Sequence, residues 1–224
     1  WTFNLRKGVH FNSYENGQVV QGKEFTSEDV IFSINRIFEV ESPIAGTLVK
    51  PTAMIAVDDY TIRMEFDGPN APLLDALVKY AVQMTPSNID PDLFKARTFG
   101  SGAFIVTEHI VGERTSFVKN PDYWDKPYPM ADEMVFVFLP SPESRAEALK
   151  AGIIDVIADL DATSIPGLES HADTAVLEAP SGGYMNLAMN VTEAPFDNKK
   201  LRQAIQAATD RKAVIQGAQF GKGS

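Results

Sequence analysis

The stretch Phe25–Phe38 reads FTSEDVIFSINRIF and carries the clearest structural signal in the chain. Thr26 stands just before an apolar repeat, and Asp29 follows three residues later, which is the spacing of a helix capping box. Glu28 and Asp29 also suit the positive N-terminal end of a helix dipole. The apolar residues recur at helical spacing, so the stretch predicts an amphipathic helix packed on a core. They are Val30, Ile31, Ile34, Ile37 and Phe38.

The eight residues before Phe25, GQVVQGKE at 17–24, come within one residue of a phosphate-binding loop. That motif needs two glycines five apart, then Lys, then a Ser or Thr whose hydroxyl binds Mg²⁺. Gly17, Gly22 and Lys23 fit the motif, but Glu24 would set a carboxylate against the phosphates. We therefore reject a nucleotide site and predict a solvent-exposed loop over these residues, in which the glycines serve turns.

Alternating and helical patterns extend through the first half of the chain. WTFNLRKGVHF at 1–11 alternates apolar with polar residues and predicts a half-buried strand. MIAVDDYTIRMEF at 54–66 predicts a hairpin that turns at Asp58 and Asp59. NAPLLDALVKYA at 70–81 predicts a second helix with a proline in its first turn.

The second half reads as strands alternating with helices. Residues 102–120 predict a hairpin around Gly112, and MVFVFL at 134–139 predicts a buried strand. SPESRAEALKAG at 141–152 has the capping Ser and the closing Gly of a helix. IDVIADL at 154–160 predicts the next strand, so that strand, helix and strand would form a crossover unit of an α/β layer.

The last part of the chain predicts one more strand and one more helix. GGYMNLAMN at 182–190 is the strand, and the segment that follows it turns at Pro195. Asp197 is the predicted cap of the helix, whose apolar face has helical spacing. That face comprises Leu201, Ala204, Ile205 and Ala208.

The composition excludes several classes of function. The 224 residues carry a formal net charge of −10, which argues against nucleic acid or an anionic membrane surface as the partner. There is no cysteine, so disulfides, thiolate metal sites and a Cys nucleophile are excluded. The apolar runs are far too short for a transmembrane helix.

The sequence contains no recognisable catalytic, metal-binding or cofactor-binding set. Ser101 has glycines directly beside it rather than two residues away, so the nucleophile-elbow pattern of hydrolases fails. His10, His109 and His171 are far apart, and none has a second His or Cys at metal-ligand spacing. We therefore expect these residues to lie in turns and on the surface.

Two stretches are candidates for contacting a ligand. PDYWDKPYP at 121–129 concentrates aromatic residues, which can stack on a ligand or cover a hydrophobic edge; we expect the second. In GGYM at 182–185 the paired glycines allow a close backbone approach where a strand begins. A ligand-contacting edge and a plain bulge would both use these residues.

Taken in order, the segments resemble the peptide/nickel-type solute-binding proteins of ABC transporters, called family 5, which include dipeptide- and oligopeptide-binding proteins. The similarity covers nearly the whole chain in the family order. One departure is Ala103, where the family commonly has Pro after Gly. The matching segments are WTFNLRKGVHF, FTSEDVIFSINRI, AVDDYTIRMEFDGPNAP, GSGAFIV, KNPDYW, AEALKAGIIDV and NVTEAPFDNKKLRQAIQAATDRKAVI.

The resemblance implies an α/β (α+β) fold, as in the two-lobed receptors of the periplasmic-binding-protein type II class. Family members are longer at both ends, so the chain resembles an internal fragment. Residues 1–96 would be the small extra α+β domain, 97–210 part of the first α/β lobe, and 211–224 the start of a truncated second lobe.

The resemblance also implies a receptor, not an enzyme, that captures peptides or peptide-like solutes and delivers them to an ABC transporter membrane permease. Such a receptor is a periplasmic or cell-surface monomer without a cofactor, and its signal peptide would lie outside this fragment. The segment GGYMNLAMN matches the family's ligand-facing edge, which implies solute-binding roles for Gly183, Tyr184, Met185 and Asn186. Asn190 matches a family Asn for which we expect a structural role.

Two alternatives stay open. The first is a receptor of the same fold for oligosaccharides, nickel chelates or opines, since a fold does not determine its ligand. The second is a periplasmic hydrolase built on this scaffold.

Overall fold

The computed structural model describes residues 1–79, 82–90, 92–179, 186–219 and 221, without the side chains of residues 95, 96 and 219. The chain divides into two compact units, Trp1–Phe138 and Leu139–Ser224. In chain order the first unit comprises β1 (Thr2–Asn4), β2 (His10–Glu15), β3 (Gln18–Glu24), α1 (Ser27–Glu39), β4 (Ala53–Asp58), β5 (Thr61–Glu65), α2 (Leu73–Leu77), α3 (Leu93–Ala96), β6 (Phe104–Ile110), β7 (Arg114–Lys119) and β8 (Glu133–Val137), with a 3₁₀ turn at Pro43–Gly46.

Helix α1 confirms the prediction made from FTSEDVIFSINRIF. Thr26 is its N-cap, and its backbone N–H donates to Asp29 Oδ2 over 2.8 Å within a capping box. The buried apolar residues of α1 pack with those of the sheet β1-β5-β4, in which both strand pairs are antiparallel. Ile62 and Met64 of β5 are buried in this core, as the predicted 54–66 hairpin requires.

The prediction of an exposed loop at 17–24 is wrong, because residues 18–24 form strand β3. Strand β3 pairs antiparallel with β2. The two strands are joined at Asn16 and Gly17, whose φ values are 49° and 84°. Two consecutive positive φ angles make the two-residue turn whose twist suits a hairpin, and Asn-Gly is its strongest sequence signal.

Gly22 is needed because β3 passes very close to the neighbouring strand. A Cβ at this position would lie 2.3 Å from the backbone oxygen of Phe11, far inside van der Waals contact. This close approach gives Gly22 a structural role within strand β3 rather than in the turn that was predicted for it.

We expect Gly22→Ala to lower the free energy of unfolding by about 2 kcal/mol, because the added methyl forces the two strands apart. Urea denaturation followed by circular dichroism measures this change. Gly46→Ala is the matched control, since nothing lies within 4 Å of its added Cβ and its φ is not positive. Equal stability of the two variants would contradict the assignment.

The predicted second helix is shorter than the sequence pattern suggested. Helix α2 spans Leu73–Leu77 within the predicted range 70–81, of which residues 80 and 81 lie outside the described residues, and Pro72 is its N-cap. A proline disfavours helical geometry in the residue before it, so the helix cannot begin at residue 70 or 71.

The hairpin around Gly112 is confirmed as β6 and β7. The strand predicted at 134–139 is confirmed as β8, but its predicted burial is wrong, because Val135, Phe136 and Val137 are about half exposed. These strands form an antiparallel sheet in the order β6-β7-β8. Gly112 has φ +74°, a conformation in which glycine carries no steric penalty.

A buried polar junction ties this sheet to strand β2. The backbone N–H of Asn12 donates to Gly100 O over 2.9 Å, and the N–H of Gly100 donates to Asn12 O over 3.1 Å. The side-chain Nδ2 of Asn12 donates to Asn120 Oδ1 over 2.7 Å. Asn120 Nδ2 in turn donates to Gly102 O over 2.8 Å. Asn12 and Asn120 are both fully buried.

The second unit is helical in its described part. Its elements are α4 (Pro142–Lys150), a 3₁₀ turn at Ala162–Ser164, α5 (Ile165–Glu169), α6 (Lys199–Ala208) and α7 (Arg211–Gln219). Helix α4 confirms its predicted signals, with Ser141 accepting a hydrogen bond from the N–H of Ser144 and Gly152 at φ +67°.

The strand predicted over 154–160 is wrong, since these residues adopt no regular structure. Alternating apolar residues satisfy one requirement of a strand, but its backbone groups also need a hydrogen-bonded neighbour. No strand pairs with them in the described ranges, so the predicted crossover unit is not formed there.

The start of helix α6 differs by one residue from the prediction. Its cap is Asn198, whose Oδ1 accepts from the N–H of Lys200 over 2.9 Å. Asp197, the predicted cap, belongs to the preceding turn, where its N–H donates to Glu193 O over 2.9 Å.

No helix in the part of the chain described is long and apolar enough to cross a bilayer.

Candidate functional site

The structure describes one of the four predicted solute-binding residues. Asn186 is exposed and lies in the segment 186–190, which is neither helix nor strand. The strand predicted at 182–190 is therefore wrong over residues 186–190, and residues 182–185 lie outside the described residues. Gly183, Tyr184 and Met185 lie outside the described residues. Their solute-binding role stays a prediction.

The segment after Asn186 borders an open cleft within the second unit. Leu187 and Met189 line it together with residues of helix α6. The cleft has a volume of about 450 Å³, which is in the range of small-molecule sites. The residues contributed by α6 and by the chain after it are Lys199, Arg202, Gln203, Ile205, Gln206, Thr209 and Arg211.

A local turn places Met189 against helix α6. Asn190 Oδ1 accepts from the N–H of Thr192 over 3.1 Å and from its hydroxyl over 2.8 Å. The chain then reverses, and Asn198 caps the helix. The structural role expected for Asn190 is thus confirmed, since its side chain holds the turn.

The cleft combines an apolar surface with basic side chains. Arg202 has a structural role, because its Nη1 donates to two backbone oxygens of the turn before α6, Phe196 O over 2.7 Å and Asp197 O over 3.1 Å. Lys199 and Arg211 form no ion pair with any other described residue. None of the described residues that line the cleft carries a carboxylate. A solute with an apolar part and an anionic group would therefore match these walls.

The charged residues of the segment that resembles a phosphate-binding loop form hydrogen bonds with other residues of the first unit. Lys23 Nζ donates to Asp29 Oδ1 over 2.7 Å and to Ser87 Oγ over 3.1 Å. Glu24 Oε1 accepts from the N–H of Gly8 over 2.6 Å. The hydrogen bonds from Gly8 and then Tyr60 lower the pKa of Glu24. These contacts support the rejection of a nucleotide site.

The residues weighed for catalysis or metal binding are not brought together. His109 Nδ1 contacts Thr115 Oγ1 at 2.8 Å, a local contact across the hairpin. Among the described residues no three His, Asp or Glu side chains could hold a metal ion. In the same ranges, no histidine is hydrogen-bonded to Ser101.

The whole chain, residues 1–224, matches the family described as bacterial extracellular solute-binding proteins, family 5 Middle. The chain belongs to this family. The description places family members outside the cell and assigns them solute binding rather than a reaction.

Three known proteins illustrate the similarity. Heme-binding protein A of Haemophilus influenzae is 28% identical over an alignment of 246 positions, which covers 100% of this chain and 44% of that protein. The ABC transporter-associated periplasmic binding protein DppA of Helicobacter pylori, solved with the peptide STSA, is 26% identical with a TM-score of 0.80. The similarity covers 98% of this chain and 46% of that one. AgaA of A. tumefaciens, solved with agropinic acid, is 27% identical with a TM-score of 0.82, over 100% of this chain and 44% of that one.

These similarities confirm the predicted family and the α/β (α+β) fold of the periplasmic-binding-protein type II class. The chain spans less than half the length of each of these three relatives. The division at residues 96 and 210 stays a prediction.

Sequence reasoning named Asn186 as a candidate contact, which stays a prediction, and it did not single out Lys199 or Arg211 of the neighbouring cleft. Lys199 and Arg211 are ordinary surface residues on or beside an amphipathic helix, and no motif marks them. The signal that could have found them is their position, since both belong to the chain that follows the predicted ligand-facing segment.

Proposed function

We propose that the complete protein is an extracytoplasmic solute-binding receptor for peptides or peptide-like solutes. It delivers its solute to the membrane permease of an ABC transporter, acts as a monomer in the periplasm or at the cell surface, and performs no reaction. The observation that carries this proposal is the family match over all 224 residues. The similarity to DppA, whose structure contains a peptide, favours the peptide class.

The proposed solute contacts are Gly183, Tyr184, Met185 and Asn186. Asn186 supports this role because it is exposed and leads directly into the cleft beside α6. In that cleft Leu187 and Met189 offer apolar contact area, and Lys199 and Arg211 offer positive charge. A peptide carries apolar side chains and a carboxylate, and so has both complementary features.

Receptor action follows from contact with two parts of the protein. A solute shifts the open–closed equilibrium only by its differential affinity for the closed form, which requires contacts on both sides of a hinged cleft. The chain spans 44% of Heme-binding protein A and 46% of DppA, so under this proposal the opposing contacts belong to the remainder of the receptor.

A second candidate is a receptor of the same fold for a different small solute. AgaA supports it, because that structure contains agropinic acid and has a TM-score of 0.82 to this chain. This observation favours the opine alternative. An anionic opine would also suit this cleft, whose described lining includes basic side chains and no carboxylate.

We expect the isolated chain to bind peptide at least about 100-fold more weakly than the complete protein, because half of the contacts are missing. Isothermal titration calorimetry with a di- to pentapeptide library on both proteins measures the difference.

Asn186→Ala in the complete protein should weaken binding about tenfold, while Asn4→Ala at an exposed position of strand β1 should not. Equal, tight binding by both proteins would contradict the proposal. Peptide hydrolysis by the complete protein that is lost in Ser101→Ala would favour the hydrolase alternative.

A further inference from the structure

Strand β8 leaves one edge of the sheet β6-β7-β8 open. The N–H of Phe138, directly after β8, donates to Glu113 O over 2.8 Å on the side of β7. Successive residues of an antiparallel strand turn their backbone groups to opposite sides, so those of Val135 and Val137 point away from β7. No described strand pairs with this second edge. The edge therefore presents N–H donors and C=O acceptors to which a further strand could bind.

The side chains along this edge are apolar on both faces of the sheet. Phe136 and Phe138 lie on one face and Val135 and Val137 on the other, because successive side chains of a strand alternate. The two phenylalanines are 60% and 62% exposed, and the two valines are about half exposed. Apolar residues on both faces are typical of a strand that is covered on both sides within a larger sheet.

The open edge lacks the features that protect a permanent edge strand. Such strands usually carry charged residues or proline, because an unprotected edge pairs with other chains. The run from Met134 to Phe138 has neither. Phe136 also packs against Phe117 of β7, with ring centroids 5.2 Å apart, so the apolar surface continues across two strands. A continuous apolar surface beside an open edge marks an interface.

We infer that a β-strand from the remainder of the complete protein adds to the open edge of β8, and that apolar side chains of this remainder cover both faces. AgaA, with a TM-score of 0.82, has more than half of its chain outside the matched part. A strand of the same chain has a higher effective concentration at the edge than a separate molecule has. The inference goes beyond the proposed function, because it does not depend on which solute is bound.

Hydrogen exchange of the complete protein, resolved to single amides, tests the pairing of the edge. The N–H groups of Val135 and Val137 should exchange at least about 100-fold more slowly than that of Val111, an exposed residue in the turn between β6 and β7. Phe136, whose N–H points to β7, is the protected reference. Fast exchange at both valines beside a protected Phe136 would overturn the inference. Protection that appears only when the protein dimerises would also overturn it, since a second copy would then cover the edge.

Thiol labelling tests the covering of the two faces. Val135→Cys and Phe138→Cys are introduced one at a time into the complete protein, and Val111→Cys is the control because Val111 is 86% exposed. Both cysteines of the strand should be labelled at least about 100-fold more slowly than the control, as followed by peptide mass spectrometry. Labelling within about tenfold of the control would show that the faces stay open and would overturn the inference. If one variant does not fold, the other variant and the exchange of the unaltered protein still decide.

Discussion

Replacing Asp29 with alanine is expected to lower the free energy of unfolding by about 3 kcal/mol. The Asp29 side chain is fully buried, and Lys23 Nζ lies 2.7 Å from its Oδ1. The backbone N–H of Ser87 donates to the same oxygen over 2.8 Å. The N–H and the hydroxyl of Thr26 donate to Oδ2 over 2.8 and 3.1 Å. The substitution leaves these donors without their acceptor and removes one half of the helix capping box.

Urea denaturation at pH 7 measures the loss of stability. Glu28→Gln is the matched control, because it removes a carboxylate from the same helical turn at an exposed position. The control should lose less than about 1 kcal/mol, the range of an exposed charge near a helix N-terminus. Similar losses in the two variants would show that the buried contacts of Asp29 contribute little.

The pH dependence gives this prediction a second readout. Burial alone would raise the pKa of Asp29, but hydrogen bonds from Lys23, Ser87 and Thr26 outweigh it and lower the pKa overall. The folded-state pKa therefore lies below the unfolded value of about 3.9, so the carboxylate stabilises the fold above about pH 4. This contribution is lost as the pH falls through the folded pKa. The stability difference between the natural chain and Asp29→Asn should shrink below pH 4, and a constant difference would contradict the assignment.

Asn120→Ala should also cost about 3 kcal/mol, because several buried polar groups would lose their partner together. Asn120 Oδ1 accepts from Asn12 Nδ2 over 2.7 Å and from the N–H of Asp122 over 3.0 Å. Its Nδ2 donates to Gly102 O over 2.8 Å. Of these groups, the side-chain Nδ2 of Asn12 keeps one partner, Asp122 Oδ2 at 3.2 Å.

The same denaturation experiment with Asn4→Ala provides the comparison, since Asn4 is an exposed amide in the same unit. Hydrogen exchange adds a local readout. In Asn120→Ala, the amide protons of Asn12 and Gly100 should exchange faster, because the side-chain contacts that hold their mutual backbone bonds are gone. Unchanged protection at both positions would contradict a role for Asn120 in the junction.

Features set by neighbouring residues could be predicted from the sequence. The Thr26–Asp29 capping box depends on residues three apart, and the burial of Ile62 and Met64 depends on the alternation within one strand. The loop predicted at 17–24 was wrong although a local signal was present, because Asn16-Gly17 is typical of a hairpin turn. The strand predicted at 154–160 was wrong for a different reason, because the alternating pattern there shows nothing about whether a neighbouring strand exists.

Features that depend on distant residues could not be predicted. Asn12 and Asn120 are 108 positions apart, and Lys23 meets Ser87 across 64 positions. No spacing rule connects such pairs. The family resemblance pointed to Asn186 as a candidate contact, but the cleft beside it is made by a turn and a helix end whose residues carry no motif.

The central claim is that the complete protein is a receptor that holds a solute without changing it. Native mass spectrometry of the complete protein, purified without added ligand and then denatured to release bound molecules, tests this claim most directly. The predicted result is a single bound peptide or peptide-like molecule per protein, recovered chemically intact and lost in the Tyr184→Ala variant. Recovery of no small molecule, or recovery of cleaved products only, would contradict this claim.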